Sequence, residues 1–201
     1  LGAHHSQSLE AWLVHIPGIK VVMPSTPYDA KGLLKTSIRD NNPVVFIEHK
    51  MIYNTKGPVP EEEYTIPIGV ADIKREGSDV SIITYSRMTL FCLEAAKILE
   101  KEGISVEVMD LRTLLPMDIE AIVKTVQKTN RVIIVEEDCK TGGTGAEITA
   151  QIMENAFDYL DAPVVRLAGA DVPMPKSPVL EKLAIPDVER ICKAVREIIA
   201  R

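Results

Sequence analysis

Short runs of apolar residues alternate with amphipathic stretches along most of this chain. Six of the runs have the length and composition of buried β-strands, namely Val21–Met23, Val44–Ile47, Val80–Tyr85, Val106–Met109, Val132–Val135 and Val164–Leu167. Strands that are apolar on both faces are typical of a parallel sheet with helices on each side. The alternation therefore predicts an α/β fold with an open, mainly parallel sheet.

The stretches around these strands carry helix signals. The clearest start is at residues 26–29, where Thr26 can cap a helix, Pro27 suits its first position and Asp29 can reach back as in a capping box. The apolar spacing predicts one packing face for this helix, made of Ala30, Leu33, Leu34, Ser37 and Ile38. Further helices are predicted at Leu90–Lys101, after Asp118, at Ala146–Leu160 and at Asp187–Ala200.

Residues 51–70 interrupt the alternation. They contain Pro58, Pro60, Pro67 and three consecutive glutamates at 61–63, which is typical of a linker or an extended crossing segment. We therefore divide the chain into a first part at 1–50, a linker at 51–70 and a second part at 71–201.

Charge and cysteine content limit the classes of function. A net charge of −6 and a pI near 5.3 argue against nucleic acid and anionic membranes as partners. No apolar run approaches the roughly 20 residues that a membrane-spanning helix needs. Cys92, Cys139 and Cys192 are far apart and form no metal-spaced pair. We expect them to be reduced, mostly buried thiols of a cytoplasmic protein.

The densest chemistry lies at the very start, in Gly-Ala-His-His-Ser-Gln-Ser-Leu-Glu-Ala-Trp at residues 2–12. His4 and His5 stand just before an amphipathic stretch, and a histidine at the mouth of a helix can carry a proton near neutral pH. His15 and His49 stand singly and are interpreted as surface or structural residues. Because nothing precedes the motif, we expect half of a site, on the later part of a longer protein.

Two other motifs each allow two interpretations. Gly142-Gly143-Thr144-Gly145 lies between a strand and a helix but lacks the third glycine of a dinucleotide-binding turn, so a tight strand-to-helix turn is favoured. Asp40 and Asn42 flank a helix end before Pro43. They suit simple turn chemistry, and they also suit a site for a hard cation.

Longer motifs resemble the beta subunits of thiamine-diphosphate-dependent 2-oxo acid dehydrogenases of the pyruvate, branched-chain and acetoin types. The resemblance starts with His5-Ser6-Gln7-Ser8. It continues through Pro17–Pro24, Tyr28–Leu34, Ile38–Pro43, Glu62–Pro67, Arg112–Leu114, Thr141–Gly143, Leu160–Pro163 and Gly169–Pro175. It thus extends over the whole chain.

The resemblance implies the end of a pyrimidine-binding domain at 1–50, followed by a transketolase C-terminal-like domain at 71–201. It implies thiamine diphosphate and Mg²⁺ as cofactors, held mainly by an alpha subunit and by an absent front half that carries the activating glutamate. This chain alone is therefore expected to be inactive. His5, directly before Ser-Gln, matches the histidine of the active-site funnel, which would hydrogen-bond an anionic substrate and help to pass the acyl group to lipoamide.

The resemblance also implies a potassium ion held by the backbone carbonyls of Ser37 and Ile38 and by Asp40 and Asn42. The implied partners are the alpha subunit, a second beta subunit, and the subunit-binding domain of the dihydrolipoyl acyltransferase. Asp161 matches a residue that meets an arginine of that domain, and the terminal carboxylate of Arg201 lies in the matching region.

Two alternatives stay open. The chain can be a non-catalytic transketolase-like module for dimerisation and docking. It can also belong to another transketolase-like enzyme, such as a split transketolase, although the His-Ser-Gln-Ser and Leu-Asp-Ala-Pro motifs argue against that. The sequence does not select among 2-oxo acids and acetoin as substrate.

Overall fold

Two sheets with flanking helices make up the computed structural model, which describes residues 2–201. The strands are β1 Lys20–Val22, β2 Val44–Phe46, β3 Asp72–Arg75, β4 Val80–Thr84, β5 Val106–Asp110, β6 Thr113–Leu115, β7 Val132–Cys139 and β8 Val165–Gly169. The α-helices are α1 Glu10–Val14, α2 Pro27–Arg39, α3 Arg87–Glu100, α4 Ile119–Thr129, α5 Thr144–Ala156, α6 Pro178–Ala184 and α7 Val188–Ile199.

The larger sheet has the order β3-β5-β4-β7-β8. Strands β5, β4, β7 and β8 are parallel, with Val80 opposite Val106 and Ile133 opposite Val165, and only β3 runs antiparallel. One face packs on α3 and α7 around Leu99 and Val195. The other packs on α4 and α5 around Ile122 and Ile148. The predicted α/β fold with a mainly parallel sheet is confirmed.

The smaller sheet joins the two parts of the chain. β1 pairs with β2 in parallel, and β6 adds to the other edge of β1 in the antiparallel direction. β6 comes from the second part, so the sheet of the first part is completed by a strand from beyond the linker. The sequence did not indicate β3 or β6, because both are short and β3 consists of Asp-Ile-Lys-Arg without an apolar run.

Helix α2 starts as predicted but packs differently. The hydroxyl of Thr26 accepts the Asp29 N–H at 3.1 Å, as an N-cap should. The predicted apolar face is only partly right. Leu33 is fully buried, but Leu34 is 43% and Ile38 75% exposed. Beside Leu33, the helix packs through Gly32. A Cβ on Gly32 would lie 2.6 Å from Ile66 Cγ1, so the segment at 51–70 crosses the helix at a point where only glycine fits.

A buried ion cluster fastens α2 to the second part. The Asp29 carboxylate is fully buried and contacts Lys74 Nζ at 2.6 Å and Arg112 Nη1 at 3.2 Å. It also accepts the Thr26 hydroxyl at 2.5 Å, so Asp29 reaches back to the helix start as predicted, through the hydroxyl, and binds two cations as well. Beside it, burial raises the pKa of the Asp110 carboxyl to about 7.

The three cysteines are free and most of them are buried, as expected. Cys92 and Cys192 are buried, whereas Cys139 at the end of β7 is exposed. None of the helices within residues 2–201 combines the length and the apolar character required to cross a bilayer.

Candidate functional site

His5 lies in a tight turn ahead of α1. The carbonyl of Gly2 accepts hydrogen bonds from the backbone N–H groups of His5 at 3.2 Å and Ser6 at 3.1 Å. Gly2 has φ +75°, which favours glycine at this position. The His5 side chain is exposed, and α1 begins only at Glu10. The prediction that His5 stands at a helix mouth is therefore wrong.

Two motifs that are distant in sequence meet next to His5. The side-chain oxygen of Gln7 accepts the backbone N–H of Met174 at 2.8 Å. Gly2 packs beside Lys176, since a Cβ on this glycine would lie 3.5 Å from the lysine Cβ. The His-Ser-Gln-Ser loop is thus held against the segment that follows β8, which fixes the position of the backbone that carries His5.

A cavity of about 410 Å³ opens beside His5. Its walls come from the His-Ser-Gln-Ser loop, from α1, from the segments after β1 and β2, from the start of α3, from β7 and from α6. Its polar or charged lining residues include His5, Gln7, Glu10, Glu48, His49, Lys50, Arg87 and Glu137. Histidine, carboxylate and guanidinium groups on one cavity can orient a polar ligand and move protons.

His49 belongs to this cavity, although its sequence position suggested only a surface or structural role. Its Nδ1 accepts the Met51 N–H at 3.2 Å, so Nε2 carries the proton and points to a Glu137 oxygen at 3.2 Å. Arg87 Nη1 lies 3.5 Å from the same carboxylate. Burial alone would raise the pKa of the Glu137 carboxyl, but the hydrogen bond from His49 and the Arg87 charge lower it.

A second group of titratable side chains lies under α1. Glu10, the first residue of the helix, is only 3% exposed. The Tyr85 hydroxyl lies 3.0 Å from Glu10 Oε1 and 3.4 Å from Glu136 Oε2. Burial, followed by the negative charge of Asp138, raises the pKa of the Glu10 carboxyl to about 7. Sequence reasoning missed this group, because Glu10 and Tyr85 are 75 residues apart.

The Gly142–Gly145 segment forms a tight strand-to-helix turn. Gly142 has φ +73°. The N–H of Gly145 donates to Glu136 Oε2 at 2.7 Å, and a Cβ on Gly145 would lie 2.4 Å from Glu136 Oε1. The carboxylate of Glu136 thus takes the place at the start of α5 where a phosphate would sit in a dinucleotide-binding turn.

The residues of the implied potassium site lie together at the end of α2. Asp40 Oδ1 accepts the backbone N–H and the side-chain N–H of Asn42, both at 2.8 Å. The other carboxylate oxygen of Asp40 accepts a hydrogen bond from the Lys20 ammonium. This bond, followed by the two from Asn42, lowers the pKa of Asp40 to about 2. The Ser37 carbonyl accepts the Asp40 N–H at 3.4 Å. Within residues 2–201, no group of three or more His, Cys, Asp or Glu side chains is arranged to hold a metal.

The residues of the implied docking site are at the surface. Asp161 is exposed, with its carboxylate 3.7 Å from Arg131 Nη1 and its backbone N–H bonded to the Asn130 carbonyl. Arg201 is exposed after the end of α7. Neither residue is tied into a buried network.

The chain matches two families of domains. Residues 69–191 match the family described as "Transketolase, C-terminal domain", and residues 1–56 match "Transketolase, pyrimidine binding domain". A split-gene transketolase, solved as an inactive beta4 tetramer, has a similar fold with a TM-score of 0.81 at 25% identity. That comparison covers 99% of this chain and 64% of the other.

Several relatives are about half identical over nearly the whole chain. The beta subunit of the pyruvate dehydrogenase E1 component from Gracilaria tenuistipitata var. liui is 51% identical, over 99% of this chain and 62% of its own length. The 2-oxoisovalerate dehydrogenase beta subunit of Bacillus subtilis is 51% identical, over 97% and 60%. The mitochondrial pyruvate dehydrogenase E1 beta subunit of Saccharomyces cerevisiae is 52% identical, over 100% and 56%. The chain thus spans about 60% of the length of these relatives.

Proposed function

This chain belongs to the transketolase C-terminal domain family, and from that membership we propose that it serves in a beta subunit of a thiamine-diphosphate-dependent 2-oxo acid dehydrogenase. With an alpha subunit, that enzyme would decarboxylate a 2-oxo acid, or cleave acetoin, and acylate lipoamide. The observation that carries the proposal is the identity of about 50% to pyruvate and 2-oxoisovalerate dehydrogenase beta subunits. The 25% identity to a split-gene transketolase is half as high.

His5 is the residue that we assign to the chemistry. Its ring is exposed beside the 410 Å³ cavity, while its backbone is fixed by the carbonyl of Gly2. A neutral imidazole offers one donor and one acceptor, so His5 can hydrogen-bond an anionic substrate and exchange a proton as the acyl group leaves for lipoamide. His4 lies beside it, with ring centroids 6.4 Å apart, but is not assigned a role.

Thiamine diphosphate, when bound, supplies the carbon nucleophile of this reaction class. The groups at the His5 cavity fit the reacting end of such a cofactor, because they include a proton carrier and carboxylates that suit a cationic ring. We assign the diphosphate and its Mg²⁺ mainly to the alpha subunit and to regions outside these residues. His5 would thus act on the substrate, while the other groups would shape the cavity.

The partners of the proposed enzyme require contact surfaces, and the exposed apolar side chains on and next to α1 offer one. Leu9, Trp12 and Ile16 are 44%, 72% and 46% exposed. Trp12 also lines an open, largely apolar cleft of about 910 Å³ between α1 and the start of α5. We assign such surfaces to the alpha subunit and the second beta subunit of a cytoplasmic heterotetramer.

The proposal is tested by assembly with an alpha subunit, using a beta subunit that contains this chain. We expect release of CO₂ from pyruvate or from branched-chain 2-oxo acids, or cleavage of acetoin, and only with both subunits present. The competing non-catalytic docking module predicts stable association without any of the three activities. Transfer of ketol groups between sugars would instead support a split transketolase.

A potassium ion at the end of α2 is part of the proposal. It would bind the carbonyls of Ser37 and Ile38 with Asp40 and Asn42, and it has to compete with the Lys20 ammonium for the Asp40 carboxylate. At a hundredfold excess over its Kd, a bound ion stabilises a protein by about 2.7 kcal/mol. We therefore expect the assembled enzyme to melt at a higher temperature in potassium chloride than in tetramethylammonium chloride.

In the same melting experiment, Asp40→Ala should abolish the difference between the two salts. Asn41→Ala, one residue away and exposed, should leave it unchanged. Equal melting temperatures of the unmodified enzyme in both salts would rule out the ion.

Docking of the acyltransferase through Asp161 is the last part of the proposal. The subunit-binding domain of that partner is basic, so an exposed carboxylate on this chain gives complementary charge. Asp161→Arg should weaken binding of that domain by about 2–5 kcal/mol if the pair is desolvated. The matched control is Asp158→Arg, an exposed carboxylate three residues earlier. Calorimetry showing equal affinity for both variants and for the unmodified protein would exclude this contact.

A further inference from the structure

Tyr85 shares one hydroxyl between two buried carboxyl groups. Its oxygen lies 3.0 Å from Glu10 Oε1 and 3.4 Å from Glu136 Oε2, and all three residues are at most 3% exposed. A phenol has one proton to donate, so it cannot satisfy two ionised carboxylates at once. Two ionised carboxylates buried around one phenol would also repel each other, which favours a second proton on one of the two glutamates.

The surroundings decide which glutamate holds it. Glu136 accepts the Gly145 N–H at 2.7 Å at the start of α5 and faces Arg166 Nη2 at 3.3 Å, both of which favour its ionised form. Within residues 2–201 no cation contacts Glu10, which instead faces Glu136 and Asp138. Burial raises the pKa of Glu10, of Glu136 and of Asp138, but only Glu136 has a cation to offset it. The proton therefore belongs to Glu10.

Glu10 joins the His5 loop to the sheet. It is the first residue of α1 and is five positions after His5, whereas Tyr85 follows β4 and Glu136 lies on β7. Three residues before Glu10, the side chain of Gln7 accepts a hydrogen bond from the Met174 N–H and so also holds the loop. Glu10 is one of several attachments of α1, since Asp138 accepts the Ala11 N–H and Leu13 and Val14 pack against the apolar core.

We propose that Glu10 is a positioning residue that fastens α1, and with it the His5 loop, to the sheet through a proton shared with Tyr85 and Glu136. When Glu10 ionises, its charge faces Glu136 and Asp138 without a cation of its own, which weakens this attachment and makes opening of α1 more favourable. On the same cavity the Glu137 carboxylate pairs with Arg87 and accepts the His49 Nε2–H. Glu48, Lys50 and Glu181 also line it. Tyr85 itself stays protonated, because burial raises its pKa well above the usual range.

The sign of the pH dependence follows from linkage. A carboxyl group whose pKa is about 7 when α1 is docked, against an ordinary value of 4.5, stabilises docking below pH 4.5 and loses that effect as the pH rises through 7. Between pH 6 and pH 8.5 the equilibrium constant for opening of α1 should therefore rise roughly tenfold.

The test is hydrogen exchange at residues 12–16 of this chain, corrected for the intrinsic pH dependence of exchange. We expect the tenfold rise in opening for the unmodified protein and for Glu154→Gln, which changes an exposed carboxylate on α5. Glu10→Gln keeps a neutral hydrogen-bonding group at every pH and should show no such rise. Equal pH dependence in Glu10→Gln and the unmodified chain would overturn the proposal.

A second measurement uses only the unmodified chain, so it remains valid if Glu10→Gln does not fold. The carboxyl carbon of Glu10, observed by NMR in the unmodified chain, should titrate near pH 7, and titration near 4.5 would overturn the shared proton.

The effect on turnover rests on the proposed function. If the assembled enzyme is active, Glu10→Gln should remove a loss of kcat above pH 7, and an unchanged profile would overturn the positioning role. An inactive assembled enzyme contradicts the proposed function and leaves the exchange result standing.

Discussion

Replacing His5 by alanine in the assembled enzyme should lower turnover by roughly 10²–10⁴-fold, the usual range for a positioned acid–base group. The reason is that His5 presents an exposed ring to the 410 Å³ cavity. Its loop is held by hydrogen bonds to the Gly2 carbonyl and by the hydrogen bond from the Met174 N–H to Gln7. No hydrogen bond within residues 2–201 engages the His5 ring, so its loss should affect chemistry far more than stability.

His4→Ala is the matched control, because it removes the same ring from the neighbouring position. It should reduce turnover much less. The assay is the steady-state rate of 2-oxo acid decarboxylation, with unfolding curves of both variants recorded in parallel. Equal losses in the two variants, or full activity of His5→Ala, would remove the assignment of His5.

Arg112→Met should destabilise the chain by about 3–5 kcal/mol, the usual cost of removing one partner from a buried ion pair. The guanidinium is 3.2 Å from the fully buried Asp29 carboxylate and also donates to the carbonyls of Val70 and Ala71 at 2.9–3.2 Å. Methionine keeps the length of the side chain but supplies none of these donors. Lys74 would remain as the only cation on Asp29 within residues 2–201.

Urea unfolding of this chain measures the loss, and Arg39→Met is the control. Arg39 pairs with Glu63 at the surface, with both side chains more than half exposed. Exposed pairs contribute about 0–1 kcal/mol, so this variant should unfold close to the unmodified protein. A loss below about 1 kcal/mol for Arg112→Met would mean that the buried cluster does not hold the two parts together.

The strands with continuous apolar runs were predictable, because a strand that is buried on both faces has apolar residues at consecutive positions. β4, β5 and β7 lie where the runs at 80, 106 and 132 indicated. β3 and β6 were not predictable, since both are short and β3 contains no apolar run. The packing face of α2 was only partly predictable for a different reason: the segment at 51–70 packs on Gly32, and the apolar spacing within the helix does not indicate that contact.

In the candidate site, too, the sequence could predict some residues and not others. The His-Ser-Gln-Ser loop was recognisable, because its residues are consecutive. The His49–Glu137 pair and the Glu10–Tyr85–Glu136 group join residues 88, 75 and 51 positions apart. Only the fold brings these side chains together, and a single sequence contains no local signal for such pairs.

The most direct test of the proposed function is acyl transfer to a lipoyl group by an enzyme assembled from an alpha subunit and a beta subunit containing this chain. Thiamine diphosphate, Mg²⁺, a 2-oxo acid and a free lipoyl domain are supplied, and the acylated domain is detected by mass spectrometry. We expect acylation with the unmodified enzyme and a strong loss with His5→Ala but not with His4→Ala. An assembled, correctly folded enzyme that acylates no lipoyl domain from pyruvate, branched-chain 2-oxo acids or acetoin would contradict the account.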